Sequence, residues 1–322
     1  MNNKDALLNL LFFYPSQFIS SDTLSQKLSI SKKDVYRLIR QLRSDGYPII
    51  GKTNSGYKFE PIDKISAKEI HSYFSYDKNK IRIFSSLPST NTTAKEMASC
   101  GAPEGTLCIA ETQTHGRSRL GRDFYSPAKS GIYMSLVLRP RVKSENILLV
   151  TTMAAVAVCD AIIEIAGLNP KIKWVNDIYL HDKKVCGILT EASFSTESDI
   201  PEYLILGIGV NLTNPQKGFP NNLKQIAGHV LDDNKLCSRS RMIAAILKHF
   251  YKYYNKFELK AFIDIYRARD FLSGKDVTVN RGTDSFPAHV LGVNSDLSLK
   301  IMNENGKIEN LFSGDVSLKL NN

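Results

Sequence analysis

Residues 20–43 run SSDTLSQKLSISKKDVYRLIRQLR, and the pattern in this stretch decides how the front of the chain folds. Val35, Leu38, Ile39 and Leu42 recur at i, i+3, i+4 and i+7, the spacing of one helical face. Ser31 followed by Asp34 has the form of a capping-box start, and Gly46 that of a helix stop. Upstream, Ser20 can cap a shorter helix whose Leu24 and Leu28 stand one turn apart, with Ser29-Ile30 as a tight connection. Two short helices joined in this way make a helix-turn-helix, whose second helix enters the major groove of DNA. Tyr47–Ile50 and Tyr57–Phe59, around an Asn54-Ser55-Gly56 turn, add a hairpin and make the unit a winged one, with Lys52 and Lys58 in reach of phosphate. Lys32, Lys33, Tyr36, Arg37, Arg40 and Arg43 lie off the apolar stripe and are the candidate DNA contacts. The rival reading is a solvated basic helix in an ordinary three-helix unit. Caps, stripe, basic face and hairpin together favour DNA.

The remainder of the chain limits the choices. A length of 322 residues suggests two domains or so at about 150 each. Apolar content of 43% and charged content of 23% are globular values, which excludes disorder, collagen and coiled coil. The formal charge of +10 suits nucleic acid or another acidic partner, and equally a basic enzyme. Five cysteines without a CxxC pair imply reduced thiols in a reducing compartment, and the six histidines lack zinc-ligand spacing, so no metal site is expected. The opening MNNKDALLNLLFFYPSQ has no small-residue cleavage site and is not taken as a signal peptide. Ile147–Gly167 is apolar but carries Thr151, Thr152, Asp160 and Glu164, which would be costly in lipid. A buried helix and a cytoplasmic protein with no membrane partner are expected.

Residues 1–62 form the winged unit in this reading, 63–80 a linker, 81–270 a central domain and 271–322 a small β-barrel. In the central domain Ile81–Phe84, Leu107–Ala110, Ile132–Leu138, Val185–Leu189 and Leu204–Val210 have strand composition. Thr92–Ser99, Glu145–Ala166 and Ser240–Tyr254 have helical patterns. The alternation is not strictly βαβ, so the class is α+β with a mixed sheet. Short strand patterns (Asp276–Asn280, Ala288–Leu291, Leu297–Ile301, Lys307–Phe312, Val316–Leu320) close the chain.

Gly116–Arg122, GRSRLGR, holds three arginines and two glycines in seven residues. Glycine permits close backbone approach, and arginine offers a fork to carboxylate or phosphate, so this loop is expected to be mobile when empty and to close over an anion. An exposed basic loop with no ligand is the alternative on composition alone. No GxxxxGK[ST] occurs, so it is not a P-loop. Lys173–Asp177 (KWVND) and Lys183–Leu189 (KKVCGIL) follow, the second setting Lys184 at the mouth of a buried strand, where it is either an anion contact or a solvated turn lysine. Ser89-Thr90-Asn91 are N-cap residue types that could instead face a ligand, and Gly207–Asn211 (GIGVN) ends a strand with glycines.

Each motif is weak alone. In this order and at these spacings, with Gln113 ahead of GRSRLGR and Arg122–Pro127 (RDFYSP) behind it, the set resembles the bifunctional biotin–protein ligase and biotin-operon repressor family over essentially the whole chain. That resemblance implies a class II synthetase-like ligase domain that joins biotin and ATP as biotinyl-5′-AMP, with Mg²⁺. Biotin then passes to a lysine of a biotin carboxyl carrier domain of acetyl-CoA carboxylase. By motif position it implies biotin contacts from Ser89, Thr90, Asn91, Gln113, Arg117, Ser118, Arg119 and Lys184. Arg119 and Lys184 are implied as catalytic, and Arg122, Phe124, Asn176 and Asp177 as nucleotide contacts, with Phe124 where the family usually has tryptophan. It further implies that the adenylate is a corepressor, promoting a homodimer on operator DNA. Ser118 stands where a glycine is common, Leu120 where a charge is frequent, and Val175 replaces the proline of the usual KWPND. The rival readings are a lipoate-type ligase, a biotin sensor without catalysis, and a ligase whose winged helix does not bind DNA.

Overall fold

Apolar side chains at helical spacing build the first unit as its sequence implies. In a computed structural model that describes residues 3–14, 17–45, 47–59, 64–195, 198–232, 237–281, 284–312 and 315–318, α1 (Asn3–Phe13), α2 (Ser21–Leu28) and α3 (Lys32–Ser44) precede a hairpin of β1 (Ile49–Lys52) and β2 (Gly56–Phe59). Leu7, Leu11, Leu24, Val35, Ile39 and Leu42 close one core with Ile49 and Phe59 from the hairpin. The Ser20 hydroxyl accepts the Thr23 N–H at 3.0 Å, which caps α2, and Ser29 ends it in the left-handed conformation. Ser31 accepts the Asp34 N–H at 3.1 Å and donates its own proton to the Asp34 carboxylate at 2.7 Å. This is a hydroxyl–carboxylate variant of the reciprocal box. The Ser31 hydroxyl, then Arg37, hold the Asp34 carboxyl below the usual range. Gly46, read as the stop of α3, lies outside the described residues.

By its contacts the chain divides into two units, residues 1–79 with 233–244, and residues 80–232 with 245–322. The stretch read as a linker carries α4 (Ala67–Tyr73) inside the first unit, with Ile70 and Glu69 buried. The Ser66 N–H donates to the Ser240 hydroxyl at 2.9 Å, and burial raises the Glu69 carboxyl above its ordinary range while Ser238 and Ser240 oppose the shift.

The second unit is built on β3 (Ile81–Phe84), α5 (Thr90–Ser99), β4 (Leu107–Ala110), β5 (Gly131–Leu138), α6 (Ile147–Ala166), β6 (Lys171–Lys173), β7 (Asp177–Leu180), β8 (Lys183–Ser193) and β9 (Tyr203–Asn211). Its sheet runs β3-β4-β5-β9-β8-β7-β6; β3 and β4 are parallel and every other neighbouring pair is antiparallel. The helix read from Thr92 begins two residues earlier, because Thr90 finds a cap partner far along the chain. Helix α6 is long and apolar enough to span a membrane, but every residue from Leu149 to Cys159 is buried, as a core helix requires. After α7 (Arg239–Tyr254) and α8 (Phe262–Ala268), the chain ends in β10 (Asp276–Arg281), β11 (Asp284–Val293), β12 (Leu299–Asn303), β13 (Ile308–Leu311) and β14 (Asp315–Leu318). These form one five-stranded antiparallel sheet in the order β13-β12-β11-β10-β14, where the sequence placed a small β-unit. The last two residues of the strand read over Val316–Leu320 lie outside the described residues. The Trp174 indole N–H donates to the Leu297 carbonyl at 2.9 Å, which ties this sheet to the KWVND turn.

The wing hangs on a close backbone approach. The Ile19 and Tyr57 N–H groups each donate to the other's carbonyl at 2.8 Å, beside Gly56 at φ +98. A Cβ on Gly56 would lie 2.0 Å from the Ile19 carbonyl oxygen. Gly56→Ala is therefore expected to destabilise the winged unit by about 1–3 kcal/mol, from left-handed strain and backbone overlap together. Urea unfolding of the variant against the parent measures it.

Candidate functional site

The cap of α5 is where local and distant sequence meet. Ser89 occupies the N-cap position but makes no capping bond of its own. Instead the Gln113 side chain accepts from the Thr90 N–H at 2.8 Å and from the Thr90 hydroxyl at 3.1 Å. The other end of the same amide donates to the Ser126 hydroxyl at 2.8 Å. This fixes which end of Gln113 is acceptor and which is donor. Behind Thr90, the Ser135 hydroxyl of β5 donates to Asn91 Oδ1 at 2.6 Å and stands 2.8 Å from Thr90 Oγ1. Asn91 Nδ2 donates to Glu191 Oε2 at 2.7 Å, which completes a buried polar chain. Such chains specify one arrangement when every member is satisfied.

The glycines of KKVCGIL and GIGVN floor the cleft. Gly187 pairs with Gly209, and Leu189 with Gly207, across β8 and β9. A Cβ at Gly207 would lie 2.1 Å from Asn91 Oδ1, and one at Gly209 would lie 2.7 Å from the Phe124 ring. Phe124 lies against Gly209 and Gly187 and meets Tyr133 edge-on at 6.4 Å.

The GRSRLGR segment is a closed hairpin. The Phe124 N–H donates to the Gly116 carbonyl and the Ser118 N–H to the Arg122 carbonyl, both at 2.8 Å. Ser118 is extended, at φ −126, so replacing a glycine there costs nothing; Leu120 at φ 58 and Gly121 at φ 71 take the left-handed turn. Arg117 reaches Glu191 Oε1 at 3.2 Å, and Arg119 donates to Asn176 Oδ1 at 3.1 Å. Asn176 is held in turn by the Ile188 carbonyl, to which its amide donates at 2.7 Å. The Lys184 ammonium lies 2.7 Å from Asp177 Oδ1. That contact is too oblique for a hydrogen bond, so the buried oxygen has an ionic partner but no aligned donor.

All twelve candidates (Ser89, Thr90, Asn91, Gln113, Arg117, Ser118, Arg119, Arg122, Phe124, Asn176, Asp177 and Lys184) line one cleft of about 290 Å³. That volume is at the small end of small-molecule sites. Sequence reasoning missed Glu191, Ser135 and the wall made by Phe219, Leu223 and Ile226. Glu191 is marked only as the one acid in β8, and no local signal marks the wall. The wall is secured to the lysine strand, since the Lys184 N–H donates to the Ile226 carbonyl and the Gly228 N–H to the Lys184 carbonyl, both at 2.8 Å. Three cations meeting amides and hydroxyls over a glycine floor can hold a short acid beside a phosphate. Burial pushes the Cys108 and Cys159 thiols up to about 12 and Cys186 well above its ordinary value, so none of the three is a thiolate nucleophile at neutral pH.

In the first unit, the six candidate DNA contacts are all exposed on α3. Lys32 is ion-paired with Asp22, and Arg37 with Asp34 at 2.9 Å. Arg43 donates to the Ile49 carbonyl at 2.8 Å and lies 5.8 Å from the centre of the Tyr57 ring, which in turn meets Tyr36 edge-on at 6.2 Å. Arg43 thus braces the wing against the helix.

Comparison with known proteins gives two matched segments, the biotin/lipoate A/B protein ligase family over residues 83–211 and an HTH domain over residues 4–58. The chain is 32% identical over 319 residues to the bifunctional ligase/repressor BirA of Bacillus subtilis, covering 97% of each protein. It is 24% identical to the protein of that name from Escherichia coli, covering 94% of each. A biotin protein ligase from Aquifex aeolicus, solved with biotin and ATP, superposes with a TM-score of 0.62 at 27% identity, over 74% of this chain and 98% of that one.

Gly207→Ala would drive a methyl group into Asn91 and break the polar chain behind the cleft. An expected loss of about 1–3 kcal/mol in urea unfolding follows from overpacking at a site with no slack.

Proposed function

The chain belongs to the bifunctional ligase/repressor family, and from that premise we propose how its cleft and its winged unit divide the work. The protein is an ATP-dependent biotin–protein ligase and a DNA-binding repressor. The observation that carries the site reading is the meeting of Arg117, Arg119 and Lys184 in one cleft with the Thr90–Gln113 hydrogen-bond pair. The neutral donors and acceptors Ser89, Thr90, Asn91 and Gln113 suit a polar, uncharged ring, and the cations suit the carboxylate tail and phosphate.

In the first step a biotin carboxylate oxygen attacks the α-phosphorus of ATP, the bond to the bridging oxygen breaks, and pyrophosphate departs with its electron pair. Two anions approach while a third leaves, so charge neutralisation is the main requirement. Lys184 would exchange its oblique contact with Asp177 for the carboxylate and α-phosphate. Arg119, leaving Asn176, would stabilise the developing charge, and the hairpin would shield the mixed anhydride from water. Phe124, Arg122, Asn176 and Asp177 border the nucleotide end in this reading. In the second step the amine of a carrier lysine attacks the acyl carbon and AMP leaves. No protein nucleophile is required, which agrees with buried thiols held in the neutral form.

Mg²⁺ fits as an ion carried in on phosphate. No group of three or more metal-binding side chains occurs among the described residues, and Asp177 supplies a buried carboxylate oxygen without an aligned donor. One carboxylate plus substrate phosphates is the usual Mg²⁺ environment, and the ion would supply charge neutralisation there. The proposed carrier is the biotin carboxyl carrier domain of acetyl-CoA carboxylase. The proposed operator lies upstream of biotin-synthesis genes, and we assign the protein to the cytoplasm.

Lys184→Ala and Arg119→Ala are each expected to cut biotin-dependent ATP–pyrophosphate exchange by about 100-fold or more, roughly 3 kcal/mol of transition-state stabilisation. Lipoate and octanoate run beside biotin test the acid; exchange with lipoate and none with biotin would replace the substrate.

A single recognition helix touches few base pairs, so specific repression calls for two copies on two half-sites. Biotinyl-5′-AMP, and not ATP alone, is expected to strengthen dimerisation and binding to an inverted repeat. Arg40→Ala is expected to weaken that binding and flatten its salt dependence by about one unit of slope, measured by titration at several salt concentrations with biotin transfer as the control for folding.

A further inference from the structure

We infer that Glu191 is a positioning residue that couples the floor of the acid pocket to the arginine hairpin; the inference rests on the ligase reading above. Its two carboxylate oxygens serve different masters. Oε2 accepts from Asn91 Nδ2 at 2.7 Å, inside the polar chain that runs back to Ser135. Oε1 lies 3.2 Å from Arg117 Nη2, at the neck of the hairpin where the backbones of Arg117 and Asp123 pair. The inner partner is buried, with Asn91 at 5% exposure, whereas the Arg117 side chain is 50% exposed.

This arrangement is more than a surface ion pair. Strand β8 holds Glu191 opposite Ile205 of β9, and Asn91 fixes the carboxylate plane. Arg117 therefore meets an acceptor that is already oriented, and only one partner must give up rotational freedom to form the contact. The consequence runs both ways. A ligand that orders Asn91 and Thr90 sharpens the seat for Arg117, and a hairpin seated on Glu191 restrains the pocket floor. Arg119 anchors the same hairpin at a separate place, Asn176. Losing Glu191 alone therefore loosens the neck of the hairpin and leaves Arg119 on Asn176 in the empty enzyme. The step most affected is capture of the acid.

Glu191→Gln separates the two functions. Its amide oxygen still accepts from Asn91, while its NH₂ group faces Arg117 with no charge to offer. The full-length protein is assayed for ATP–pyrophosphate exchange across biotin concentrations, together with Arg117→Gln, the double variant and thermal unfolding of each. The expected result for Glu191→Gln is a rise of about tenfold in the KM for biotin with kcat changed less than threefold and an unchanged melting temperature. The double variant should match Arg117→Gln alone, because both substitutions break one link. A biotin KM equal to the parent's, or effects of the two substitutions that multiply, would overturn the inference. A drop in melting temperature with KM unmoved would make Glu191 merely structural, which also overturns it. A parent protein that exchanges no pyrophosphate with biotin would instead defeat the ligase reading, a distinguishable outcome.

Discussion

Like charges repel, so a cleft lined by Arg117, Arg119 and Lys184 stands only if the fold supplies each with a local acceptor. It supplies Glu191 at 3.2 Å, Asn176 at 3.1 Å and Asp177 at 2.7 Å. Each contact is a weak form of its kind. Half of the Arg117 side chain is in solvent, which weakens its ion pair even though Asn91 orients the Glu191 carboxylate in advance. Asn176 offers Arg119 a neutral amide oxygen, and the Lys184 contact is oblique. A charge-assisted hydrogen bond to a substrate anion is stronger, roughly 1.5–3 kcal/mol, so for Arg119 and Lys184 exchanging the resting partner for substrate is favourable, while Arg117 keeps its seat on Glu191. The cations are ordered in advance and still available.

The sheet makes this possible. Gly187 and Gly209 pair across β8 and β9, and Gly207 clears Asn91 by having no side chain. The resulting floor lets Phe124 and a ligand approach the backbone from above while Asn91, Ser135 and Glu191 are satisfied behind it. A strand register shifted by one residue would turn these positions to the other face. Packing of the buried α6 against β8 therefore protects the chemistry at a distance.

Much of this was legible from short stretches. The apolar stripe of α3, its serine cap, the hairpin turn and most strands of the central sheet follow from periodicity and from residue types with one structural use. The twelve candidate residues share one cleft because their motifs lie at strand ends and in loops, where a sheet gathers them. Departures arose where a side chain found a distant partner. Gln113 caps α5 in place of Ser89, so the helix begins at Thr90. The small all-β unit expected at the end is there as a five-stranded antiparallel sheet.

By itself the sequence determined which faces are apolar, where α2 and α3 are capped, where the chain can turn, and which loop carries an anion's worth of arginine. All of these are properties of residues within a few positions of one another. The tertiary structure alone decided that the carboxylate of Glu191 would serve Asn91, 100 positions earlier, and Arg117, in the loop between them. It alone decided that the wall of Phe219, Leu223 and Ile226 would be strapped to Lys184. Hydrogen bonding carries no periodicity along the chain. A polar side chain takes whichever partner the packing of apolar faces brings within about 3 Å, and only the assembled sheet sets those distances.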